Sequence, residues 1–444
     1  MNKTQQSVAA ILAAMPCAAV AQDSRPNVVI IYTDDHGTLD ANCFGATDLY
    51  TPNIDSLAAH GVSFTQFYGA PVSSASRACL LTGQFAKRAG MTGNAGWTGF
   101  PVEKETLAER MKRGGYQTAC IGKWHLGSWK QFAPNQRGFD HFYGFLGGCI
   151  DSYSHFYYWW GPNIHDLWRN DREIYQPGKF FTEGTLEEIR NYLGGRDKNK
   201  PFFLYWAVNI PHYPLQPKQK WIDYYAHLKN PRRMYAAWLT TFDEYLGEFR
   251  TLMHEQGLDK NTIIIFQADN GHSTEERGLG GGGYCGDYRG GKFSVFEGGI
   301  RVPCIVSWPG HFPENERRDA VACCTDWFPT LLSLCNVDAE GIDVDGKDIT
   351  SLITNADAKS PHRALHFDFN DGWAVRSGDW KLLNNPIDVL PNDKNQTLNG
   401  LFLVNLATDP TERNNLKDVY PEKVDELMAL RKQYEQRIPQ KKKQ

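Results

Sequence analysis

Four short apolar runs place the tightest limit on how this chain can fold. They are rich in β-branched and aromatic residues and span residues 27–32 (NVVIIY), 117–122 (QTACIG), 201–209 (PFFLYWAVN) and 262–268 (TIIIFQA). A continuous apolar run of this length is typical of a strand that is buried on both faces of a sheet. We therefore expect four central strands.

Helical sequence separates these runs. Apolar residues recur at helical spacing in residues 54–60, 106–113 and 234–256, and a glycine, which commonly ends a helix, follows each stretch. Strands that alternate with helices predict an α/β fold with a mostly parallel sheet.

The chain changes character after about residue 336. Residues 365–383 and 400–405 combine short strand-like pieces with glycine turns, and residues 421–435 have the pattern of a closing helix. We expect a large domain over residues 22–335 and a smaller α+β subdomain over residues 336–444. With 444 residues, 41% of them hydrophobic, the chain is long enough to bury both cores.

The N-terminus has the pattern of a secretory signal peptide. A basic residue precedes an apolar, alanine-rich stretch over residues 8–20, and Ala19 and Ala21 fit the small-x-small cleavage rule. We expect removal of residues 1–21 and a periplasmic or secreted bacterial protein, with lipid attachment at Cys17 disfavoured. The apolar stretch is too short for a membrane span, and a formal net charge of -4 gives no reason to expect a nucleic-acid partner.

The sequence contains ten cysteines, one of which is removed with the predicted signal peptide. Export permits disulfides, but an odd number of cysteines leaves at least one free thiol in a monomer. Cys323 and Cys324 are adjacent, and adjacent cysteines rarely bridge each other. Neither a CxxC pair nor a Cys/His spacing indicates zinc, so we expect most thiols to be buried as small apolar groups.

Residues with ionisable or amide side chains follow all four predicted strands: Asp34 and Asp35, Lys123 and His125, His212, and Asp269 and Asn270. Ligands of open α/β sheets bind beyond the carboxyl ends of the strands, so we expect these side chains to share one site. Each of them alone also fits a turn or a helix cap. Carboxylate and amide oxygens suit calcium or magnesium better than zinc, and adjacent aspartates repel each other unless a cation lies between them.

Residues 70–83 (APVSSASRACLLTG) contain a second candidate anion site. Ser73 is predicted near the N-terminus of a helix, where free backbone N–H groups favour an anion. Arg77 follows one turn later and can reach the same point with a bidentate guanidinium. Simple capping of the helix by Ser73 or Ser74 accounts for the same pattern, and the residues alone do not separate the two possibilities.

These segments together resemble the sulfatase family of the alkaline-phosphatase-like superfamily. SSASR at 73–77 fits the modification sequence of the family, and TDDHG at 33–37 resembles its first metal motif. Further matches follow in family order: TPNIDSLAAHGVSF at 51–64, GKWHLG at 122–127, NIPHYPLQ at 209–216, ADNGH at 268–272, RGGKFSVFEGGIRVP at 289–303 and, for the C-terminal subdomain, WAVRSGDWKLL at 373–383. The resemblance implies a mixed, mostly parallel sheet between helices, with residues 22–335 as the sulfatase catalytic domain.

The resemblance also implies a role for each matching residue. Ser73 would be oxidised to formylglycine (3-oxoalanine), and His125 would be the base that regenerates it. Arg77 and Lys123 would orient the formylglycine, whereas His212 and Lys292 would bind sulfate and assist the leaving oxygen. Calcium, with magnesium less favoured, would be held by Asp34, Asp35, Ser73, Asp269 and Asn270.

Two positions depart from the commoner form of the family motif. Ser73 stands where cysteine is frequent, and Ala75 stands where proline is more usual. A serine site resembles those matured by anaerobic radical enzymes of bacteria, so we expect such a maturase as a partner. His36 and His272 lie beside predicted metal ligands, and we expect them to support those ligands or the surrounding structure, with contact to substrate a less favoured alternative.

The implied reaction is hydrolysis of the sulfate ester of a carbohydrate. A hydrated aldehyde carries two hydroxyl groups, of which one attacks sulfur and the other later expels the sulfate. An unmodified serine would stay sulfated. The cation polarises the sulfate oxygens, and the basic side chains stabilise the charge on them.

The expected substrate is a sulfated polysaccharide fragment. Residues 155–160 (HFYYWW) and 280–289 (GGGGYCGDYR) are candidate specificity segments, and Arg169, Arg172 or Arg289 could bind a uronate or a second sulfate. Packing of the aromatic run on the sheet and ordinary surface charges account for these residues equally well.

Two other functions stay open at this point. One is a phosphatase or phosphodiesterase of the same superfamily. The other is a non-catalytic glycan-binding protein in which Ser73 is never modified.

Overall fold

The computed structural model describes residues 24–157, 162–390 and 394–439. The predicted signal peptide over residues 1–21 lies outside these ranges, as do residues 158–160 of the aromatic run. Within the described ranges, every helix is too short or too polar to cross a membrane.

The described strands are, in chain order, β1 (Asn27–Asp34), β2 (Val62–Phe64), β3 (Phe67–Tyr68), β4 (Gln117–Lys123), β5 (His141–Phe145), β6 (Phe156–Tyr157), β7 (Ile164–His165), β8 (Trp168–Arg169), β9 (Arg172–Glu173), β10 (Phe202–Pro211), β11 (Thr262–Ala268), β12 (Cys304–Ser307), β13 (Glu316–Arg318), β14 (Ala322–Cys323), β15 (Leu365–Phe369), β16 (Gly372–Ser377), β17 (Trp380–Asn384), β18 (Ile387–Asp388), β19 (Gln396–Thr397) and β20 (Leu401–Asn405).

The described α-helices are α1 (Pro52–Ala59), α2 (Ser73–Thr82), α3 (Ala86–Ala89), α4 (Leu107–Arg113), α5 (Phe181–Gly195), α6 (Gln219–Tyr224), α7 (Arg232–Glu255), α8 (Glu297–Ile300), α9 (Trp327–Leu334), α10 (Thr350–Thr354) and α11 (Pro421–Glu435). Short 3-10 helices span Asn42–Phe44, Lys130–Phe132, Pro134–Gln136, Glu276–Gly278 and Cys324–Asp326.

A ten-stranded sheet forms the centre of the large domain. Its strand order is β13-β2-β12-β11-β1-β10-β4-β5-β8-β9. The neighbours β11, β1, β10, β4 and β5 are parallel, whereas β12 and β8 pair antiparallel with the two ends of this parallel block. The four strands predicted from the apolar runs are therefore adjacent strands of this block, and the expected α/β class is confirmed.

Each face of the sheet is covered by helices, which explains why the central strands are apolar throughout. Val28 and Ile30 of β1 pack in a core with α2, α4 and α9. Val29 and Ile31 point to the opposite face and pack with α1, α5 and α7. Because successive strand residues alternate between faces, a strand covered on both sides has no position left for a polar residue until it ends.

The C-terminal subdomain is built on the antiparallel sheet β15-β16-β17-β20, against which α11 packs. Val337, Ile349 and Leu352 belong instead to the core of the large domain, whereas Leu365 begins the small sheet. The expected boundary at residue 336 stays a prediction, and these contacts favour a boundary closer to residue 365.

A buried group of ion pairs joins the subdomain to the large domain. Nζ of Lys381 on β17 lies 3.0 Å from Oε1 of Glu297 on α8 and 2.9 Å from Oε1 of Glu412. All three side chains are at most 1% exposed. The Tyr68 hydroxyl of the large domain donates to the other Glu297 oxygen at 2.7 Å. Lys381 is thus shared by two buried carboxylates, and Arg301 also lies 3.5 Å from Glu297.

We expect Lys381→Ala to destabilise the protein, because it leaves Glu297 and Glu412 buried without their shared cation. Removing one partner of a buried ion pair costs about 3–5 kcal/mol. Lys423→Ala is the matched control, since Lys423 pairs with Glu426 at the exposed surface and should contribute less than about 1 kcal/mol. Urea unfolding followed by circular dichroism measures both variants, and equal losses would contradict the importance of the buried cluster.

Candidate active site

The carboxyl ends of the central strands bring the predicted residues to one edge of the sheet. Asp34 and Lys123 are the last residues of β1 and β4, His212 follows β10, and Asp269 and Asn270 follow β11. The chain turns sharply after two of these strands, since Asp35 and His125 both have positive φ, 62° and 56°. Residues other than glycine seldom adopt this conformation, and those that do are concentrated at functional sites.

Asp34, Asp35 and Asp269 form a cluster of three buried carboxylates. The Asp35 N–H donates to Oδ1 of Asp269 at 3.1 Å, and Nδ2 of Asn270 donates to Oδ1 of Asp35 at 2.8 Å. Burial raises the pKa of Asp35 to about 7; the Lys292 charge opposes this shift, and the Asp34 and Asp269 carboxylates add to it. Burial and Asp34 also raise the pKa of Asp269. Three like charges this close require a compensating cation.

The cluster fits a divalent cation. Among the described residues, Oδ1 of Asp34 and Oδ1 of Asn270 are buried oxygens without a hydrogen-bond partner. Burial of an oxygen without a partner is costly, and a bound cation removes that cost by taking the oxygen as a ligand. Donors that are all hard oxygens suit calcium or magnesium. His212 also lies close enough to Asp34 and Asp35 to share a metal ion with them. The two oxygens without hydrogen-bond partners nevertheless favour a ligand set made only of oxygens.

Three cationic side chains surround the carboxylates. Nζ of Lys123 lies 2.5 Å from Oδ2 of Asp34, and Nζ of Lys292 lies 2.9 Å from Oδ2 of Asp35. Nη2 of Arg77 lies 3.1 Å from Oδ2 of Asp269. A divalent ion added to these charges leaves the site positive, which favours an anionic ligand.

Ser73 is the first residue of α2, and its side chain faces the carboxylate cluster. Nε of Arg77 donates to the Ser73 hydroxyl oxygen at 2.8 Å, and a hydrogen bond from Ser73 lowers the pKa of Asp269 against the larger effect of burial. Val72 occupies the cap position of α2, and no side chain caps the helix. The Ser74 hydroxyl donates instead to the His125 carbonyl at 2.7 Å. The simple capping alternative for these serines is therefore wrong.

Arg77 is fixed in place by several acceptors at once. Besides Ser73, Nη1 donates to the Tyr205 hydroxyl at 3.1 Å and to the Lys123 carbonyl at 3.2 Å. The guanidinium is completely buried, and so is the whole of α2. Because its donors point in fixed directions, Arg77 sets the position of Ser73 relative to the carboxylates.

Both histidines of the site are kept neutral. Burial lowers the pKa of His125 well below its ordinary value, and the charges of Lys123 and Arg77 lower it further. Burial and then Lys292 do the same for the pKa of His212. Nδ1 of His212 donates to the Tyr213 carbonyl at 2.6 Å, so its Nε2 is free to accept a proton. Neutral imidazoles beside an anion site are suited to proton transfer.

Glu275 is a residue of this site that sequence reasoning missed. Its Oε2 lies 2.9 Å from Nζ of Lys292, and its Oε1 accepts from the Tyr213 hydroxyl at 3.2 Å. Burial alone would raise its pKa, but the facing positive charge, chiefly that of Lys292, lowers the pKa of Glu275 to about 2. It lies in a loop whose sequence, STEERG, has no spacing that distinguishes one glutamate from its neighbour. Its negative charge reduces the net positive charge of the site by one.

A cavity of about 800 Å³ opens above His125, His212 and Lys292. This volume suits a small ligand or a short oligosaccharide segment. Tyr157, from the aromatic run, lines the cavity together with Trp97, Trp168 and Ile164, so one of the two candidate specificity segments contributes to it.

The second candidate segment, residues 280–289, contributes no side chain to this cavity. Arg289 donates to Asp388 at 2.6 Å and stacks over Phe296, so it belongs to the contact with the C-terminal subdomain. Arg169 pairs with Glu188 at 2.7 Å, and Arg169 and Arg172 also lie outside the cavity lining. None of the three arginines lines this cavity, so binding of a uronate or a second sulfate by one of them stays a prediction.

Comparisons with known proteins agree with this geometry. Residues 26–337 match the sulfatase family model, and residues 290–444 match the model of the N-sulphoglucosamine sulphohydrolase C-terminal region. The chain is 31% identical to mouse arylsulfatase J over 94% of its own length and 77% of that protein. It is also 31% identical to rat N-acetylgalactosamine-6-sulfatase over 76% of its own length and 67% of that protein.

Solved structures show the same fold over nearly the whole chain. The structure of Ps i-CgsB in complex with k-i-k-neocarrahexaose has a TM-score of 0.82 at 28% identity and covers 94% of both chains. The structure of the PsFucS1 sulfatase from Pseudoalteromonas sp. has a TM-score of 0.81 at 25% identity and covers 94% of this chain and 92% of that one.

Fold and site together define a sulfuric ester hydrolase. The chain belongs to the sulfatase family, whose members use a formylglycine and a divalent cation.

We expect Arg77→Lys to lower the turnover of a sulfate ester about tenfold or more, because lysine keeps the charge but cannot hold several acceptors in fixed directions. Tyr205→Phe is the control, since it removes only one of the acceptors of Arg77 and should change turnover by less than about threefold. Steady-state kinetics of sulfate release from a sulfated oligosaccharide measure both variants. Wild-type turnover in Arg77→Lys would show that charge alone is sufficient at this position.

Proposed function

We propose that this protein is an exported, calcium-dependent sulfatase that removes sulfate from a sulfated oligosaccharide. Residue 73 would be the nucleophile after its serine has been converted to formylglycine by an anaerobic radical maturase. The calcium ligands would be Asp34, Asp35, Asp269, Asn270 and residue 73.

The position of Ser73 carries this proposal. It is the one alcohol that is in contact with both Arg77 and the carboxylate cluster through side-chain hydrogen bonds among the described residues. It lies at the start of a helix, where backbone N–H groups also favour an anion. A side chain at this point lies beside the carboxylates that would hold the cation, and His125, His212 and Lys292 of the same site line the cavity.

The surrounding residues divide the remaining tasks. When bound, calcium would lower the pKa of the attacking hydroxyl and polarise the sulfate oxygens. Arg77 and Lys123 would hold residue 73, and Lys292 would offset the charge of the sulfate.

The two histidines would transfer protons in different steps of the reaction, His212 as an acid and His125 as a base. A bound sulfate would raise the pKa of His212, because a nearby anion favours the imidazolium, and His212 could then protonate the leaving sugar oxygen. His125 is surrounded by cations and stays neutral, which suits a base. This division of roles follows from the charges that face each ring.

Calcium is favoured over magnesium by the composition of the ligand set. Calcium accepts six to eight oxygen ligands in flexible arrangements, whereas magnesium requires a near-octahedral shell and usually keeps several waters. Three carboxylates, an amide oxygen and residue 73 supply most of the shell from the protein itself. The calcium assignment therefore depends on the number of protein oxygens that converge here.

A saccharide substrate is supported by the walls of the cavity. Trp97, Trp168 and Tyr157 line the cavity, and Trp97 is 59% exposed. Exposed aromatic rings offer flat apolar surfaces on which sugar rings can stack. One relative is named for N-acetylgalactosamine-6-sulfate chemistry, and one similar structure contains a neocarrahexaose. Both names favour a sulfated saccharide over a small aryl ester.

The central test compares matured and unmatured protein of the same sequence. Chain co-expressed with the maturase should hydrolyse a sulfated oligosaccharide, and its residue-73 peptide should be lighter by about two daltons. Unmatured chain and Ser73→Ala should both be slower by at least about a hundredfold, because Ser73→Ala lacks the nucleophile and an unmodified serine lacks the second hydroxyl that expels the sulfate. Mass spectrometry and sulfate release provide the two measurements.

Different outcomes of this test would reject different parts of the proposal. Full activity of Ser73→Ala would reject the nucleophile. Faster hydrolysis of a matched phosphate ester would indicate a phosphatase or phosphodiesterase. Saccharide binding without any turnover, with residue 73 unmodified in the native host, would indicate a glycan-binding protein.

We expect calcium to stabilise the metal-free protein by about 2.7 kcal/mol at a concentration one hundred times its Kd. Asp35→Ala should abolish this gain, because it removes a ligand. Glu275→Gln is the matched control, since Glu275 is a nearby half-buried carboxylate outside the ligand set and the variant should keep the gain. Thermal unfolding during calcium and magnesium titrations measures the effect. Equal gains from calcium and magnesium at the same concentration would contradict the preference for calcium.

A further inference from the structure

A second group of side chains that could hold a metal ion lies where the linker between α10 and β15 passes the large domain. Cys323 ends β14, Asp326 ends the following 3-10 helix, and His362 precedes β15 by three residues. Cys323 and Asp326 are buried, and the side chain of His362 is 4% exposed. None of the three residues lines the catalytic cavity.

Their ligand atoms lie at separations close to those of a tetrahedral zinc site. Sγ of Cys323 is 3.5 Å from Oδ2 of Asp326 and 3.8 Å from Nε2 of His362, and this Nε2 is 2.9 Å from the same Asp326 oxygen. Ligands at usual zinc distances and tetrahedral angles are about 3.3–3.6 Å apart. Shifts of about 0.4 Å or less in these separations would therefore admit the ion.

The Asp326 carboxylate is already oriented by the backbone. Its Oδ2 accepts the Cys323 N–H at 2.8 Å, and its Oδ1 accepts the Lys347 N–H at 2.8 Å. Outer hydrogen bonds of this kind hold metal-ligating carboxylates in place and are part of most built metal sites. Both carboxylate oxygens also lie within 2.9 Å of Nε2 of His362.

The charges and the ligand types favour zinc over calcium. A thiolate and a carboxylate together neutralise one divalent ion, which removes the cost of leaving a net charge in a buried position. Sulfur and imidazole nitrogen are ligands that zinc prefers and that calcium avoids. On binding, the thiol proton is released to solvent, and the ring proton that Nε2 of His362 donates to Asp326 in the metal-free protein moves through solvent to Nδ1.

We propose that Cys323, Asp326 and His362 bind one zinc ion, with water as the fourth ligand. The ion connects the linker that leads into the small sheet with the helix turn that precedes α9. It is structural, and it is separate from the oxygen-lined site at the edge of the main sheet.

The test uses the full chain in calcium-saturated buffer with a non-chelating reductant. After incubation with zinc and desalting, mass spectrometry of metals should find about one zinc per chain. Replacement of zinc by cobalt should give a thiolate-to-cobalt charge-transfer band in the near ultraviolet. Cys323→Ser should lose this band, and Cys323→Ser and His362→Gln should each weaken zinc binding at least about a hundredfold.

Cys149→Ser is the matched control, because Cys149 is a buried thiol that lines the catalytic cavity. It should keep both the zinc and the cobalt band. His362 lies in a loop outside the helices and strands, so His362→Gln reports on binding even if Cys323→Ser does not fold. Zinc content that is unchanged in His362→Gln, a band that depends on Cys149, or no zinc in the wild-type chain would each overturn the proposal.

Discussion

The repulsion among three buried carboxylates is the constraint on which the rest of this site depends. Asp34, Asp35 and Asp269 are brought together because their strands are neighbours and parallel, and the sheet offers no way to separate them. The fold must therefore supply positive charge at the same edge. It does so with Arg77, Lys123 and Lys292, and the unpartnered oxygens beside them indicate that a cation completes the balance.

This arrangement also explains why the helix that carries Ser73 is buried along its whole length. Arg77 must reach Asp269 while it holds the Ser73 hydroxyl, so α2 has to lie directly against the ends of β1 and β11. A surface helix could not bring a guanidinium into a dry site at a fixed angle. Binding of the anion and burial of the helix are thus consequences of the same contact.

Much of this could be predicted from the sequence, because the relevant patterns are local. The apolar runs mark the central strands to within two residues, and the polar residues at their ends share a site because parallel strands end on one edge. Glu275, Arg289 and His362 could not be placed in this way. Each of them pairs with a residue of another segment: Glu275 with Lys292, Arg289 with Asp388, and His362 with Asp326. These pairs form only because the loops and the C-terminal subdomain pack together, which the sequence pattern does not reveal.

The segment that carries Lys292 is held from both sides of the molecule. Lys292 itself contacts Asp35, whereas the next residue, Phe293, packs on Phe369 of the small sheet with ring centres 5.6 Å apart. Ser294 donates to the Ile387 carbonyl of the same subdomain. The small subdomain thus holds one wall of the active-site cavity in position. Substitutions in the subdomain can therefore change catalysis by moving Lys292, while every residue that touches the substrate is retained.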